Sequence, residues 1–177
     1  VIGAHNVFRE NTTVHSATND GDATVIGSHN HFLAYTHIAH DCVVGSHIVM
    51  SNVGTLAGHV IVEDHAIIGG LAAVHQFCRI GRMAIIGGCS KVVQDVPPFM
   101  LADGNPAETK ALNKVGLERN GVSDAVQAVL KKAFKLLFRD GLTVSNALLK
   151  IEAELPPLPE LQHLIAFVKA SERGISK

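Results

Sequence analysis

Residues 37–54 read HIAHDCVVGSHIVMSNVG, and they consist of three six-residue units with one shared pattern. Each unit carries a large apolar residue at its second position, namely Ile38, Val44 and Met50. An amphipathic helix repeats every 3.6 residues and a two-faced strand every two, so a strict period of six fits neither. Six-residue repeats are typical of a parallel β-helix.

The period of six extends outward from this stretch over the first hundred residues. Every sixth residue from Ile2 to Val92 is apolar at fifteen of sixteen positions, and Asp20 is the exception. Three units of six make a turn of 18 residues, and we expect successive turns to stack about 4.8 Å apart. Asp20 lies in the turn-prone stretch Asn19-Asp20-Gly21-Asp22, which predicts a loop displaced from the prism.

Stacking of the turns predicts a polar patch around His40. Residues 18 apart should lie above one another, which places Asp22, His40, Gly58 and Gln76 in one column and Asp41 and His59 in the next. A carboxylate beside a histidine can fix the ring tautomer and make the imidazole a better base. The predicted patch draws on three separate stretches and contains His37, His40, Asp41, Gly58, His59, His75 and Gln76.

A second histidine column, His29, His47 and His65, also recurs every 18 residues. Three imidazoles suit zinc, but His29 and His47 have no carboxylate beside them to orient the rings, as metal-bound histidines usually require, and only His65 has one, Asp64. An outward-facing ladder of polar side chains is therefore the favoured interpretation. Cys42 and Cys78 hold the small inward position, and we interpret them as buried, unreactive thiols.

Composition limits the possible partners and compartments. Fifteen Lys and Arg residues against sixteen Asp and Glu residues give a net charge of −1, which argues against a general affinity for nucleic acid or membrane. Three cysteines, an odd number, indicate free thiols in a reducing compartment such as the cytoplasm. No apolar run is long enough to span a bilayer. Val1 already lies inside a repeat, so we expect further coils upstream in the natural chain.

The sequence after residue 99 predicts a helical domain over residues 100–177. Asp95-Val96-Pro97-Pro98 should end the repeat, and Gly104-Asn105-Pro106-Ala107 predicts a turn into helical sequence. Ser123 is a candidate cap for a helix that stops at Gly141, and further helices are expected over 144–154 and 160–170. One helix face is basic and consists of Lys131, Lys132, Lys135 and Arg139. This face could bind an acidic carrier protein, or it could simply be exposed to solvent.

The order of several motifs resembles that of the UDP-N-acetylglucosamine O-acyltransferases, a family of lipid A biosynthesis. The motifs are HIAHDC (37–42), LAGHV (56–60), VHQF (74–77), DVPPF (95–99), GNPA (104–107) and GLERNG (116–121). The resemblance implies a left-handed parallel β-helix, an exception to the right-handed crossover rule, followed by a small α-helical C-terminal domain. It further implies a homotrimer with active sites between neighbouring prisms, and no metal or organic cofactor.

The same resemblance implies the reaction and the residues that perform it. An R-3-hydroxyacyl group would pass from acyl carrier protein to the 3-hydroxyl of UDP-N-acetylglucosamine. His40 would be the general base, Asp41 would orient it, and the Gly58 backbone N–H would stabilise the oxyanion. The remaining matched positions would hold substrate: His37, His59, His75 and Gln76 the sugar and thioester, Asn113 and Arg119 the nucleotide, and Gly88 the end of the acyl chain.

Two departures from the family pattern bear on the nucleotide contacts. Val115 stands where many members carry Glu, and Asn120 stands where they carry Arg.

Competing interpretations are a truncated trimer that acts only as a scaffold and a metal enzyme such as a γ-type carbonic anhydrase. The latter uses two histidines five residues apart, and no such pair occurs here. A sister acyltransferase that uses an already acylated sugar lacks this order of motifs.

Overall fold

The computed structural model describes residues 1–177 and shows fourteen two-residue strands that follow one another around a three-sided prism. The strands are Val7–Phe8 (β1), Thr13–Val14 (β2), Val25–Ile26 (β3), His31–Phe32 (β4), His37–Ile38 (β5), Val43–Val44 (β6), Val49–Met50 (β7), Thr55–Leu56 (β8), Ile61–Val62 (β9), Ile67–Ile68 (β10), Ala73–Val74 (β11), Arg79–Ile80 (β12), Ile85–Ile86 (β13) and Lys91–Val92 (β14). Every third strand joins the same face, in the orders β1-β4-β7-β10-β13, β2-β5-β8-β11-β14 and β3-β6-β9-β12. The predicted left-handed parallel β-helix is confirmed.

The repeat places its apolar residue inside the prism in each complete coil. Ile38, Leu56 and Val74 stack on one face and are at most 2% exposed, and the small corner positions Thr36 and Cys42 are fully buried. One core cluster of 22 buried residues runs along the prism. Between the strands, the corners are formed by residues with φ near +60°, including Asp41 and His59.

The first coil contains six more residues than the others, which corrects the predicted columns. Strand pairing joins residues 18 apart above residue 25, as in Val25 with Val43, but 24 apart below it, as in Thr13 with His37. The extra unit is the exposed turn around Asp20 and Asp22, so the predicted displaced loop is present. Asp22 therefore does not lie in the His40 column, and that placement was wrong. The residue in register with His37 is Thr13.

Two longer strands follow the proline pair and extend one face of the prism. Met100–Gly104 (β15) pairs in parallel with β13, and Ala107–Leu112 (β16) pairs antiparallel with β15. The prolines at 97 and 98 therefore do not end the pairing, and the turn at 104–107 leads into a strand and not into a helix. The six-residue repeat itself does end at the prolines, since Leu101 pairs with Ile85, only 16 residues earlier. The expected turn into a helix was wrong because the chain rejoins the sheet at Met100 and forms a hairpin. The division at residue 99 into two domains stays a prediction.

Four helices complete the chain: Lys114–Arg119 (α1), Asp124–Phe138 (α2), Val144–Glu154 (α3) and Pro159–Lys169 (α4). Helices α2, α3 and α4 match the predicted segments, and Ser123 caps α2 by accepting a hydrogen bond from the Val126 N–H. Helix α1 lies in the tail, where helical sequence was expected but no bounds were predicted. The helices share a second core of 17 buried residues that includes Phe99 and Met100 at the edge of the prism.

Candidate active site

His40 and Asp41 form a hydrogen-bonded pair at one corner of the prism. His40 Nδ1 lies 2.7 Å from Asp41 Oδ2. The left-handed backbone of Asp41, with φ of 61°, turns its side chain back toward the preceding histidine. The Asp41 side chain is only 10% exposed, whereas that of His40 is 42% exposed. The pair thus combines a shielded carboxylate with an imidazole that remains open to a ligand.

Asp41 is held as an anion by donors on several sides. The Thr18 hydroxyl donates to Asp41 Oδ2 at 2.6 Å, and the Thr18 N–H approaches both carboxylate oxygens at 3.2 and 3.3 Å. The hydrogen bond from Thr18, followed by that from His40, lowers the pKa of Asp41 to about 2. A carboxylate that stays ionised at neutral pH favours the His40 tautomer with its proton on Nδ1, which leaves Nε2 as a free acceptor.

Gly58 packs directly against the His40 ring from the next coil. A Cβ atom at residue 58 would lie 2.5 Å from His40 Cε1 and 2.7 Å from His40 Nε2, so only glycine fits. The Gly58 N–H donates no hydrogen bond within the chain. Other residues at this corner position share that property, so what distinguishes Gly58 is its contact with the free nitrogen of His40. A ring nitrogen with a free lone pair and a backbone donor without a partner in the chain therefore lie side by side.

His59 continues the cluster toward the following coil. Its ring lies edge-on to that of His40, with centroids 5.2 Å apart, and stacks on Phe77 at 4.7 Å. His59 Nε2 is 3.6 Å from Asp41 Oδ2, beyond ordinary hydrogen-bond length. A cleft of about 550 Å³ opens beside His59 and Phe77, and Arg79 and Arg173 also line it. A substrate group could therefore lie next to the cluster.

The structure brings some predicted site residues to this centre and leaves others apart from it. His37 binds Thr13 through Nδ1 at 2.8 Å, and His75 Nδ1 lies 3.1 Å from the Gln76 carbonyl oxygen. No hydrogen bond joins either histidine to His40. Gly88 lies in the exposed corner above Gly70, where an added Cβ would meet only a carbonyl oxygen at 3.3 Å.

Asn113 caps the start of helix α1 and Arg119 is its last residue, and neither is hydrogen-bonded to the His40 pair. The Asn113 amide is buried: it donates to the Met83 carbonyl at 2.8 Å and accepts from the Gly116 N–H at 3.0 Å. Its side chain is thus already committed to capping the helix. Arg119 is exposed in the last turn of the same helix.

A family model described as UDP-N-acetylglucosamine O-acyltransferase, domain 2, matches residues 95–176. The chain is 54% identical over 177 residues to the acyl-[acyl-carrier-protein]–UDP-N-acetylglucosamine O-acyltransferase of Thermodesulfovibrio yellowstonii, covering 99% of this chain and 69% of that protein. The chain belongs to the UDP-N-acetylglucosamine O-acyltransferase family. The enzyme of the same name from Syntrophobacter fumaroxidans is 49% identical, again with 99% and 69% covered.

Solved structures of this acyltransferase family show the same architecture. LpxA from Acinetobacter baumannii superposes with a TM-score of 0.94 at 44% identity and covers 99% of this chain and 69% of its own. The Arabidopsis UDP-N-acetylglucosamine acyltransferase gives 0.95 at 38% identity, with 99% and 65% covered. The chain thus spans about 69% of the length of the curated acyltransferases it matches first.

One group of side chains in this acyltransferase has donor atoms close enough to hold a metal ion. The ligand atoms of His40, Asp41 and His59 lie within 4.8 Å of one another. In the arrangement observed, however, His40 Nδ1 and Asp41 Oδ2 are bonded to each other and to Thr18. This pairing suits proton transfer as it stands. None of the four helices has the length and apolar character that crossing a bilayer requires.

The second histidine column forms a stacked ladder at another corner. His47 stacks on His29 at 5.1 Å and on His65 at 4.7 Å, with interplanar angles of 3° and 4°, and His5 extends the stack below His29. In parallel rings the lone pairs, which lie in the ring planes, run side by side and do not converge on one point. The ladder predicted from the sequence is therefore present, without the geometry of a metal site.

Because of this histidine ladder, we expect the folded state to be less stable at acidic pH. Burial and then the neighbouring His47 lower the pKa of His65 below its ordinary value of 6.5. His65 therefore binds a proton more readily in the unfolded chain than in the folded chain. The free energy of unfolding decreases as the pH falls through about 6.5. We expect the denaturant midpoint to decrease between about pH 7.5 and about pH 5.5. His65→Gln should reduce this dependence, whereas His31→Gln, at an exposed strand position, should preserve it.

Proposed function

We propose that the chain transfers an R-3-hydroxyacyl group from acyl carrier protein to the 3-hydroxyl of UDP-N-acetylglucosamine, with His40 as general base. The observation that carries this proposal is the free Nε2 of an Asp41-paired imidazole in contact with Gly58. A neutral imidazole near pH 7 is suited to take the proton of a hydroxyl group. The names of the related acyltransferases supply the donor and the acceptor.

The steps follow from the positions of these groups. His40 Nε2 removes the proton of the sugar hydroxyl as the oxygen attacks the thioester carbonyl carbon, which forms the new C–O bond. The negative charge that develops on the carbonyl oxygen is stabilised by the Gly58 N–H. The C–S bond then breaks, and the thiolate of the carrier receives the proton from the His40 imidazolium. Asp41 stabilises that imidazolium and remains ionised throughout.

The remaining roles are proposed by resemblance to the family, and the structure constrains some of them. His37, His59, His75 and Gln76 would position the sugar and thioester, and His59 lies nearest to the His40 pair. Gly88 would limit the acyl length from its open corner. For the nucleotide, exposed Arg119 is better placed than Asn113, whose amide is already bonded. We further propose a homotrimer, with the half-exposed His40 facing a neighbouring prism, and a cytoplasmic location.

The proposed function is tested by product analysis. The chain is incubated with UDP-N-acetylglucosamine and 3-hydroxyacyl carrier protein of several chain lengths, and the product is identified by mass spectrometry and NMR. We expect one acyl group as an ester at the sugar 3-oxygen. Acyl carrier protein loaded with an acyl chain of the same length but without the 3-hydroxyl group serves as the control donor. It should transfer its acyl group more slowly. Absence of any acylated sugar would contradict the proposal and favour the scaffold interpretation.

The basic face of helix α2 is proposed to dock the acidic carrier protein. Lys131 and Lys132 are exposed there, and Lys131 also lines a cavity of about 460 Å³ with Phe134. Replacing both lysines with glutamate should raise the KM for the acyl carrier protein about tenfold, the equivalent of ~1.4 kcal/mol, with kcat unchanged. Lys150→Glu on helix α3 is the control. An unchanged KM at low salt would contradict docking at this face.

A further inference from the structure

The displaced unit in the first coil is flanked by two threonines, and both form hydrogen bonds with Asp41. Residues 19–23 are exposed, and Thr18 and Thr24 stand at either end of them. The Thr24 hydroxyl accepts the Asp41 backbone N–H at 2.9 Å, which fixes the corner from which the carboxylate projects. Thr18 reaches the carboxylate itself through its hydroxyl and its N–H. The one break in the repeat is thus built against the His40 pair.

The Thr18 hydroxyl allows only one distribution of protons in this cluster. Its single proton goes to Asp41 Oδ2 at 2.6 Å, because an ionised carboxylate can only accept. Toward His40 Nδ1, which is 3.0 Å away, the hydroxyl oxygen can then act only as an acceptor. Nδ1 has two acceptors and no donor beside it, so the ring proton must be on Nδ1. In the neutral ring the lone pair is therefore on Nε2, beside Gly58.

We propose that Thr18 is a positioning residue that acts through Asp41 to hold His40 as the Nδ1–H tautomer, with Nε2 free to accept the substrate proton. This inference rests on the proposed function of His40 as the base. It also gives the displaced unit a role. Thr18 lies beside the dyad only because this coil has six extra residues, whereas a regular coil of 18 residues would bring residue 22 beneath His40. Thr18 itself touches no reacting atom.

The alternative is that Thr18 only fastens the exposed loop to the prism. Thr18→Val removes the hydroxyl while keeping the shape of the side chain, and Thr18→Ser restores the hydroxyl. A fastening role would change the unfolding midpoint without changing the ring tautomer of His40. A positioning role would change kcat and the tautomer while KM stays near its native value. These readouts separate the two roles.

The experiment combines kinetics with ¹⁵N NMR of the histidine rings. The native chain, Thr18→Val and Thr18→Ser are assayed for acyl transfer, alone and combined with Asp41→Asn. Hydrogen bonds to charged groups are among the stronger ones, so kcat of Thr18→Val should fall about 10–100-fold. Thr18→Ser should be close to native, and Thr18→Val should add no further loss in the Asp41→Asn chain. The ring signals of His40, assigned by their absence in His40→Gln, should show the Nδ1–H form in the native chain and a mixture in Thr18→Val.

Three results would overturn the inference: native kcat in Thr18→Val, a loss that Thr18→Ser fails to restore, or an equal loss with and without Asp41. Failure of the proposed function is distinguished by the NMR measurement, which needs no turnover. If the native chain transfers no acyl group, a tautomer shift in Thr18→Val still supports the positioning role. An unchanged tautomer contradicts it.

Discussion

Replacing His40 with alanine is expected to lower kcat for acyl transfer by about 10²–10⁴-fold, the usual contribution of a general base. The other histidines of the site do not offer the same nitrogen. His37 and His75 direct Nδ1 to Thr13 and to a carbonyl oxygen, and neither is bonded to a carboxylate. His40 alone combines a close carboxylate partner with a ring nitrogen beside an unpaired backbone N–H.

A matched control for His40→Ala is His47→Ala. His47 is also a solvent-accessible histidine, but it forms a corner on another edge and belongs to the stacked ladder. Its loss should leave turnover near the native value. The KM of His40→Ala should change little, because the lost interaction is made mainly in the transition state. Turnover in His40→Ala within a few-fold of native would contradict the assignment of the base.

The second large effect is expected from Gly58→Ala. The added methyl group would lie 2.5 Å from His40 Cε1, a distance that requires the ring to move. The ring is anchored at Nδ1 by Asp41, so it would tilt its Nε2 away from the substrate position. A misplacement of about 1 Å at a reacting group can cost about 10²-fold in rate. We therefore expect kcat to fall at least that far while the prism remains folded.

Gly70→Ala is the matched control for this substitution. Gly70 holds the same repeat position on another corner, and a Cβ there would approach nothing closer than the Asn52 carbonyl oxygen, at 3.3 Å. Its kcat should stay close to native, and both variants should have similar unfolding midpoints. Equal losses of kcat in the two variants would mean that the methyl group acts through the coil and not through His40.

The prism could be predicted from the sequence because every coil packs the same kinds of residue at the same positions. Ile38, Leu56 and Val74 fill one face since only a large apolar residue closes the interior at that position. The displaced unit could not be placed in the same way. Its six residues preserve the spacing of every later repeat, so the periodicity is the same whether the unit forms a strand or a loop. Only the turn-prone residues around Asp20 signalled it.

That ambiguity explains what was missed in the site. The proximity of His40, Asp41, Gly58 and His59 could be predicted because these residues belong to regular coils. Their contacts are observed in the structure. Thr18 was missed because a regular register places Asp22 beneath His40. Strand β16 was missed for a different reason. It pairs antiparallel with the neighbouring strand β15 across the turn at 104–107, and that turn was interpreted as the start of helical sequence.

The most direct test of the account is a crystal structure of the chain with the acylated nucleotide sugar bound. We expect His40 Nε2 to lie within about 2.6–3.2 Å of the sugar 3-oxygen. We also expect the ester carbonyl oxygen to face the Gly58 N–H. A 3-oxygen held by His75 or His37 instead, with His40 Nε2 turned to solvent, would contradict the central claim that the His40–Asp41 pair performs the chemistry.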